Sequence, residues 1–137
     1  MDYRPYQWQD LDAVIELCRA EGWPSLPADP ERAQRILTNP GVTAYVAADD
    51  GEVRGFLYLL SDGEVQAYLA TMVVAAGHRS RGTGWRLLHE AFAACGAERI
   101  DLLSTADGFY RRFPHTAHAG FRLYPPVSRG ASAPPRP

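Results

Sequence analysis

The sequence predicts a mixed α/β fold, an α+β arrangement with a mixed sheet, in which an antiparallel meander of strands is followed by a βαβ crossover. Apolar residues alternate with a period of two between residues 42 and 74, which is typical of strands. A helical period returns from Gly84 and is followed by one more apolar run, which is the order of a crossover. A chain of 137 residues, 46% hydrophobic and 22% charged, has the size and composition of one globular domain.

Two helices are expected before the meander. A helix over about residues 9–21 is predicted because four apolar residues follow the i, i+3, i+4, i+7 spacing: Leu11, Val14, Ile15 and Cys18. Asp29 can cap a second helix that has Pro30 at its first position. Residues 2–6 form too short a run to be assigned on their own.

Three strands are expected next, at residues 42–48, 53–60 and 65–74. The segments between them, Asp49-Asp50-Gly51 and Ser61-Asp62-Gly63, contain Asp-Gly, which favours the positive φ angles of tight hairpins. The three strands should therefore form an antiparallel meander.

A helix over residues 84–95 should link the third strand to a short buried strand at 99–104. The segment 67–104 is then a βαβ crossover, whose two strands run parallel.

A short helix at 106–113 and a last strand at Gly120–Tyr124 are expected after the crossover. Residues 125–137 are rich in proline and small polar groups and cannot build a core. We therefore expect one domain over residues 1–124, followed by a disordered tail.

Charge and cysteine content limit the class of protein. The 14 basic and 16 acidic residues give a formal net charge of −2, so no global positive field would attract nucleic acid or an anionic membrane. The start of the chain lacks a basic region followed by an apolar stretch, and a cytoplasmic protein without a membrane anchor is expected. Cys18 and Cys95 are expected to be small core residues, since two distant cysteines make neither a disulfide framework nor a zinc site.

One strand-to-helix segment, residues 73–85, has the composition of an anion-binding site. The first N–H groups of a helix are unpaired and carry partial positive charge, which suits phosphate oxygens. Gly82 and Gly84 leave such donors accessible, and Arg79 and Arg81 add charge-assisted donors. The segment is not a Walker loop, which needs a lysine after its glycines, nor a dinucleotide fingerprint, which needs a third glycine.

The turn contains the pattern R-x-x-G-x-G, in which the fixed residues are Arg79, Gly82 and Gly84. On this motif the chain resembles the GNAT N-acetyltransferase superfamily, whose signature Q/R-x-x-G-x-G/A binds the pyrophosphate of acetyl-coenzyme A (acetyl-CoA) at a helix start. The order of meander, helix and buried strand agrees with this family, and the resemblance covers about residues 2–124. It implies a GNAT acyl-CoA transferase fold with acetyl-CoA as co-substrate and no metal.

The resemblance also implies a coenzyme site along the third strand and the turn that follows it. Backbone groups of the strand would pair with the pantetheine amides, and the turn would hold the diphosphate. The residues implied are Met72, Val73, Val74, Arg79, Ser80, Arg81, Gly82, Thr83, Gly84 and Trp85. An acceptor amine would attack the thioester directly in a ternary complex, without a covalent enzyme intermediate.

Two residues are candidates for proton transfer. Tyr110 matches a tyrosine that the family directs at the coenzyme sulfur, where a phenol can protonate the departing thiolate; the other interpretation is that Tyr110 packs with Phe109. The base that takes the proton of the ammonium is not marked by a motif. Glu64, at the start of the third strand, is the first candidate, although an exposed hairpin carboxylate is more often simply solvated.

The acceptor, a small molecule or peptide with a primary amine, is expected near Glu21 and Trp23, which follow the first helix. Tyr68 and His115 are further candidate contacts, while Trp23 and Tyr68 are equally compatible with a core position. His115 and His118 have a spacing that can bind zinc, but they lack a nearby cysteine or acidic partner, so a role as acceptor-site base is the better hypothesis.

The sequence departs from the family after Tyr110, because nine residues separate it from Gly120-Phe121 where many relatives have three. The family fold normally ends with two paired strands, whereas only one is predicted here. A neighbouring subunit could complete the sheet, and a homodimer is therefore expected.

Two other functions are compatible with parts of the sequence. Nucleic-acid binding is disfavoured, because no aromatic platform lies between the arginines and the net charge is negative; Arg79, Arg81 and Arg86 are instead expected to serve one phosphorylated coenzyme. A non-catalytic acyl-CoA-binding sensor or partner module of the same fold stays open, because the coenzyme site is better marked than the catalytic base.

Overall fold

The computed structural model describes residues 1–105 and 107–126. Within these residues the chain divides after Leu102 into two compact units, each described by itself below. The expected tail falls almost entirely on residues 127–137, which lie outside the described residues.

The first unit holds a five-stranded sheet in the order β1-β2-β3-β4-β5. Its strands are β1 (Asp2–Pro5), β2 (Val42–Asp49), β3 (Glu52–Ser61), β4 (Gln66–Val74) and β5 (Arg99–Asp101). Its α-helices are α1 (Leu11–Ala20), α2 (Pro30–Leu37) and α3 (Thr83–Cys95), and short 3-10 turns lie at Trp8–Asp10 and Ala76–His78. The predicted meander is confirmed, because β2, β3 and β4 pair antiparallel in sequence order.

Glycine and capping residues bound the helices, and the predicted start of α2 is confirmed. The side chain of Asp29 accepts a hydrogen bond from the backbone N–H of Arg32 at 3.1 Å, and Pro30 is the first residue of α2. Gly96 ends α3 in the left-handed conformation at φ +78.

Strand β1 pairs antiparallel with β2, although residues 2–6 are too short a run to predict a strand by themselves. A second anchor is Arg4, whose guanidinium donates to both carboxylate oxygens of Asp10 at 2.8 and 2.9 Å. Burial alone would raise the pKa of Asp10, but the hydrogen bonds from Arg4 and from the N–H of Gln7 outweigh it and hold that pKa below its usual value. The pairing joins β1 to residues 45–48, far along the chain, and the Arg4–Asp10 pair depends on side-chain geometry, so the local periodicity of the sequence shows neither.

The helices cover both faces of the sheet. Phe56 lies in a core cluster with residues of α1 and α2, among them Val14, Cys18, Ala33 and Leu37. A Cβ on the preceding residue, Gly55, would lie 3.7 Å from the side chain of Leu87 in α3. Neighbouring strand residues face opposite sides, so α3 packs on the face opposite α1 and α2. Cys18 and Cys95 are both free and buried, as predicted.

The βαβ crossover is confirmed, because β5 pairs parallel with β4. The pairing covers only Gln66, Ala67 and Tyr68 of β4, and β5 ends at Asp101, earlier than predicted. The amide of Gln66 accepts from Arg99 at 2.8 Å and donates to Asp101, which ties the two strands together at this end. In the described part of the chain, Leu69–Val74 has no strand partner on the β5 side.

The second unit begins at Leu103 and contains α4 (Asp107–Tyr110), which is shorter than the predicted helix at 106–113. The predicted strand at Gly120–Tyr124 is wrong: these residues form no strand, and Phe121 and Leu123 are 81% and 86% exposed. Alternating apolar residues form a strand only when a neighbour pairs with the backbone and covers one face, and no described segment does so here.

None of the helices in residues 1–105 and 107–126 has the length and apolar run needed to cross a membrane.

Candidate active site

The free edge of β4 presents backbone groups of alternate residues. The N–H of Ala75 donates to the carbonyl of Arg54 at 2.7 Å, and Val73 lies opposite Phe56, so both face β3. Backbone groups alternate along a strand, which points those of Met72 and Val74 toward the free edge. Val73 is buried in the core and its backbone groups face β3, whereas Met72 and Val74 face the free edge, where a ligand could pair with them.

A β-bulge interrupts β4 at Ala70. Tyr58 lies opposite Thr71 and the next residue of β3, Leu59, lies opposite Leu69, so Ala70 is one extra residue on β4. A bulge bends its strand and increases the local twist. It lies next to the point where the pairing with β5 stops, at Tyr68. The separation of β4 from β5 thus coincides with the bulge, which no feature of the sequence predicted.

The turn after β4 leads into α3 through two left-handed residues, Ser80 at φ +61 and Gly82 at φ +81. No side chain caps α3 at Gly82, and the first bond within the helix runs from the N–H of Arg86 to the carbonyl of Gly82 at 3.0 Å. A Cβ at Gly82 would meet no protein atom within 4 Å. The turn therefore leaves open space at the helix start, which is the geometry an anion needs.

The three arginines near the turn differ in what they contact. Arg86, which was also predicted to serve the coenzyme, pairs with Glu90 at 2.8 Å and lies 5.4 Å over the ring of Tyr3 in β1. Arg79 bonds to the carbonyl of Val74 and to Glu21. Arg81 is exposed and has no ion-pair partner among the described residues, so its guanidinium is available to an anion.

The other predicted residues of the turn lie in the first turn of α3. Thr83 is buried and Gly84 is half-buried. Trp85 is 46% exposed, and its ring stacks on that of His89 with 5.1 Å between centroids and 7° between planes. The stacked pair therefore lies over the first two turns of α3.

The loop between α1 and α2 forms a shallow groove of about 380 Å³. Its lining residues are Arg19, Gly22, Trp23, Pro24, Pro27 and Ala28. Trp23 is exposed at this groove, as expected for an acceptor contact, whereas Glu21 points to Arg79. Tyr68 is half-buried on β4, opposite Leu60 on one side and Asp101 on the other.

Glu64 lies in the hairpin that starts β4, at the opposite end of this strand from the Ser80–Gly82 turn. The carboxylate of Asp62 shapes the hairpin by accepting from the N–H groups of Val65 and Glu64, both at 2.8 Å, and of Gln66. These bonds lower the pKa of Asp62. The side chain of Glu64 is left exposed at the end where β4 and β5 meet.

Tyr110 and His115 belong to the second unit. Tyr110 is half-buried with its ring edge-on to Phe109 at 4.9 Å, and burial raises the pKa of its phenol. A phenol is protonated at neutral pH with or without this shift, so Tyr110 carries a proton that it can donate. His115 is exposed, and its Nδ1 lies 2.7 Å from the carbonyl of Phe113.

In residues 1–105 and 107–126, no three histidine, cysteine or acidic side chains lie together in a way that could hold a metal ion.

The fold is shared with solved acetyltransferases. An acetyltransferase of Trypanosoma brucei is 20% identical, with a TM-score of 0.73 over 89% of this chain and 97% of that one. An aminoglycoside antibiotic 6'-N-acetyltransferase of Acinetobacter haemolyticus is 15% identical, with a TM-score of 0.77 over 94% and 100%. An aminoglycoside 6'-N-acetyltransferase complexed with coenzyme A is 23% identical, with a TM-score of 0.62 over 74% and 61%.

No curated protein matches the sequence. The model of the acetyltransferase (GNAT) domain family matches residues 40–113, which is more than half of the chain and runs from the start of the meander past α4. This chain belongs to the GNAT acetyltransferase family.

Proposed function

We propose that this protein is an N-acetyltransferase that moves the acetyl group of acetyl-CoA to a primary amine of a small molecule or peptide. One observation carries the proposal: the free edge of β4 leads directly into the open turn at the start of α3. An extended arm that contains amides fits the free edge of β4, and a diphosphate fits the open turn. Acetyl-CoA joins these two parts in one molecule and supplies an activated acyl thioester.

The turn is the proposed diphosphate site. Backbone N–H groups in the first turn of α3 point at it, Gly82 leaves room for the anion, and Arg81 adds a guanidinium. Hydrogen bonds to charged groups contribute about 1.5–3 kcal/mol each. Three or four of them suffice to hold a diphosphate on a protein whose net charge is −2.

The free edge of β4 is the proposed pantetheine site. Met72 offers its backbone N–H and carbonyl there and Val74 its N–H, and amides of the arm can pair with these groups as a neighbouring strand would. The thioester then lies toward the bulge at Ala70, where an N–H of β4 can donate to its carbonyl oxygen. Polarisation of the carbonyl and alignment of the amine supply most of the rate gain.

Two side chains are proposed for proton transfer. Tyr110 donates to the departing thiolate, because its phenol can act as a hydrogen-bond and proton donor. Glu64 takes the proton of the ammonium, directly or through water, because it lies at the end of β4 away from the diphosphate turn and thus on the thioester side.

The acceptor is proposed to bind along the groove at Trp23, with Tyr68 and His115 as further contacts. Both aminoglycoside acetyltransferases described above as structural neighbours support an amine as the acceptor class. We also propose a cytoplasmic protein with no nucleic-acid or membrane partner. The exposed apolar residues Phe121 and Leu123 support a homodimer in which they are covered.

Calorimetry with CoA and a thiol-release assay test the proposal together. Arg81→Ala should raise the Kd for CoA at least tenfold, because one charge-assisted bond of about 1.5–3 kcal/mol is lost. Arg35→Ala, which removes an exposed arginine of α2, should leave it unchanged. No binding by the native protein would refute the coenzyme site. Binding without thiol release for any amine in a panel would favour the non-catalytic sensor instead.

A further inference from the structure

Arg79 joins two distant parts of the first unit. Its Nε donates to the carbonyl of Val74 at 3.0 Å, and its Nη2 donates to the carboxylate of Glu21, 58 residues away in sequence. Val74 is the last residue of β4, and Glu21 is the residue that follows α1. The guanidinium thus fixes the end of the helix to the end of the strand.

The position of Glu21 is unfavourable for a charged carboxylate that has no cation beside it. The last turn of a helix carries partial negative charge, and Glu21 stands at the C-cap of α1, where its N–H donates to the carbonyl of Leu17. Its side chain is only 25% exposed, against 68% for Glu16, which pairs with Arg19 on the surface of the same helix. A cation beside Glu21 offsets both the dipole and the burial, and Arg79 is that cation.

We infer that Glu21 is a positioning residue for coenzyme binding and not a contact of the acceptor amine. Glu21 and the carbonyl of Val74 engage Nη2 and Nε of Arg79, which leaves Nη1 of the guanidinium for a phosphate oxygen. Arg79 is the first residue of the Arg79-x-x-Gly82-x-Gly84 motif. It is therefore held in place before the coenzyme arrives, which lowers the entropic cost of binding. This inference rests on the proposed diphosphate site.

The test compares Glu21→Met, which keeps the side-chain length but removes charge and acceptor oxygens, with Glu16→Met as the matched control. Calorimetry with CoA should show binding about three- to tenfold weaker for Glu21→Met and unchanged for Glu16→Met. In the Arg79→Ala background, Glu21→Met should have no further effect, because the residue it positions is gone. The KM of the acceptor amine should stay the same in Glu21→Met.

A spectroscopic measurement separates positioning from general damage to the fold. In ¹⁵N NMR spectra, the Nε–H of Arg79 should be protected from exchange in the native protein by its bond to the carbonyl of Val74, and less protected in Glu21→Met, because the guanidinium then loses the second bond that holds it there. Unchanged CoA affinity in Glu21→Met, or a raised KM for the amine alone, would overturn the inference. Failure of the native protein to bind CoA would instead refute the proposed function, so the two failures are distinguishable.

Discussion

Replacement of Gly82 by alanine should affect coenzyme binding much more than it affects the stability of the fold. Gly82 has φ +81, and a Cβ there would meet no protein atom within 4 Å. The new methyl group therefore causes no clash, and the cost to the free energy of unfolding is that of the left-handed conformation, about 1–2 kcal/mol. The same methyl group occupies the open space assigned to the diphosphate. Loss of one charge-assisted bond, about 1.5–3 kcal/mol, weakens CoA binding by roughly ten- to a hundredfold.

Gly63→Ala is the matched control. Gly63 has φ +80 and equally open space at its Cβ, but it lies in the β3–β4 hairpin at the far end of β4. Both variants should show a similar loss of Tm without ligand, and only Gly82→Ala should lose affinity for CoA in calorimetry. Equal CoA affinity in both variants, with both folded, would show that nothing approaches Gly82 and would refute the assignment of the turn.

Three further outcomes are expected. Tyr110→Phe should lower kcat about tenfold or more while leaving the Kd for CoA nearly unchanged, since the phenol acts on the leaving thiolate; an unchanged kcat would reduce Tyr110 to packing. The Arg4–Asp10 pair should make the protein less stable in acid. Because the folded pKa of Asp10 is lowered, its contribution is complete above the unfolded value of about 3.9 and is lost as the pH falls through the folded value, so urea titrations of Asp10→Asn should show a weaker pH dependence in this range. Gly96→Ala should cost more than about 2 kcal/mol of unfolding free energy, because its Cβ would lie 2.7 Å from the carbonyl oxygen of Gly63 at a positive φ; a smaller loss would mean that the hairpin yields easily.

The parts of the fold that depend on nearby residues could be predicted from the sequence. Asp29 and Pro30 mark the start of α2 by hydrogen bonding and backbone geometry within one turn of chain. Asp50-Gly51 adopts the positive φ angles that its hairpin needs. The Arg79-Gly82-Gly84 spacing located the turn before α3, because a helix start and glycine flexibility are local properties.

The parts that depend on distant partners could not be predicted. The bulge at Ala70 arises from the register between two strands, and Arg79 finds Glu21 only once the sheet and α1 are assembled. Alternation at Gly120–Tyr124 indicated a strand, yet a strand exists only where another segment pairs with it. The same holds for β1, whose four residues gain their conformation from β2.

The unpaired stretch of β4 also affects the tendency of the ligand-free protein to associate with itself. A bare row of amide and carbonyl groups is a template on which an extended segment of any other molecule can align, and self-association in concentrated solution is the usual result. A ligand that occupies this row acts as a temporary sixth strand. Saturation at a hundred times the Kd adds about 2.7 kcal/mol to stability, so preparations supplied with CoA should resist precipitation better than those without it.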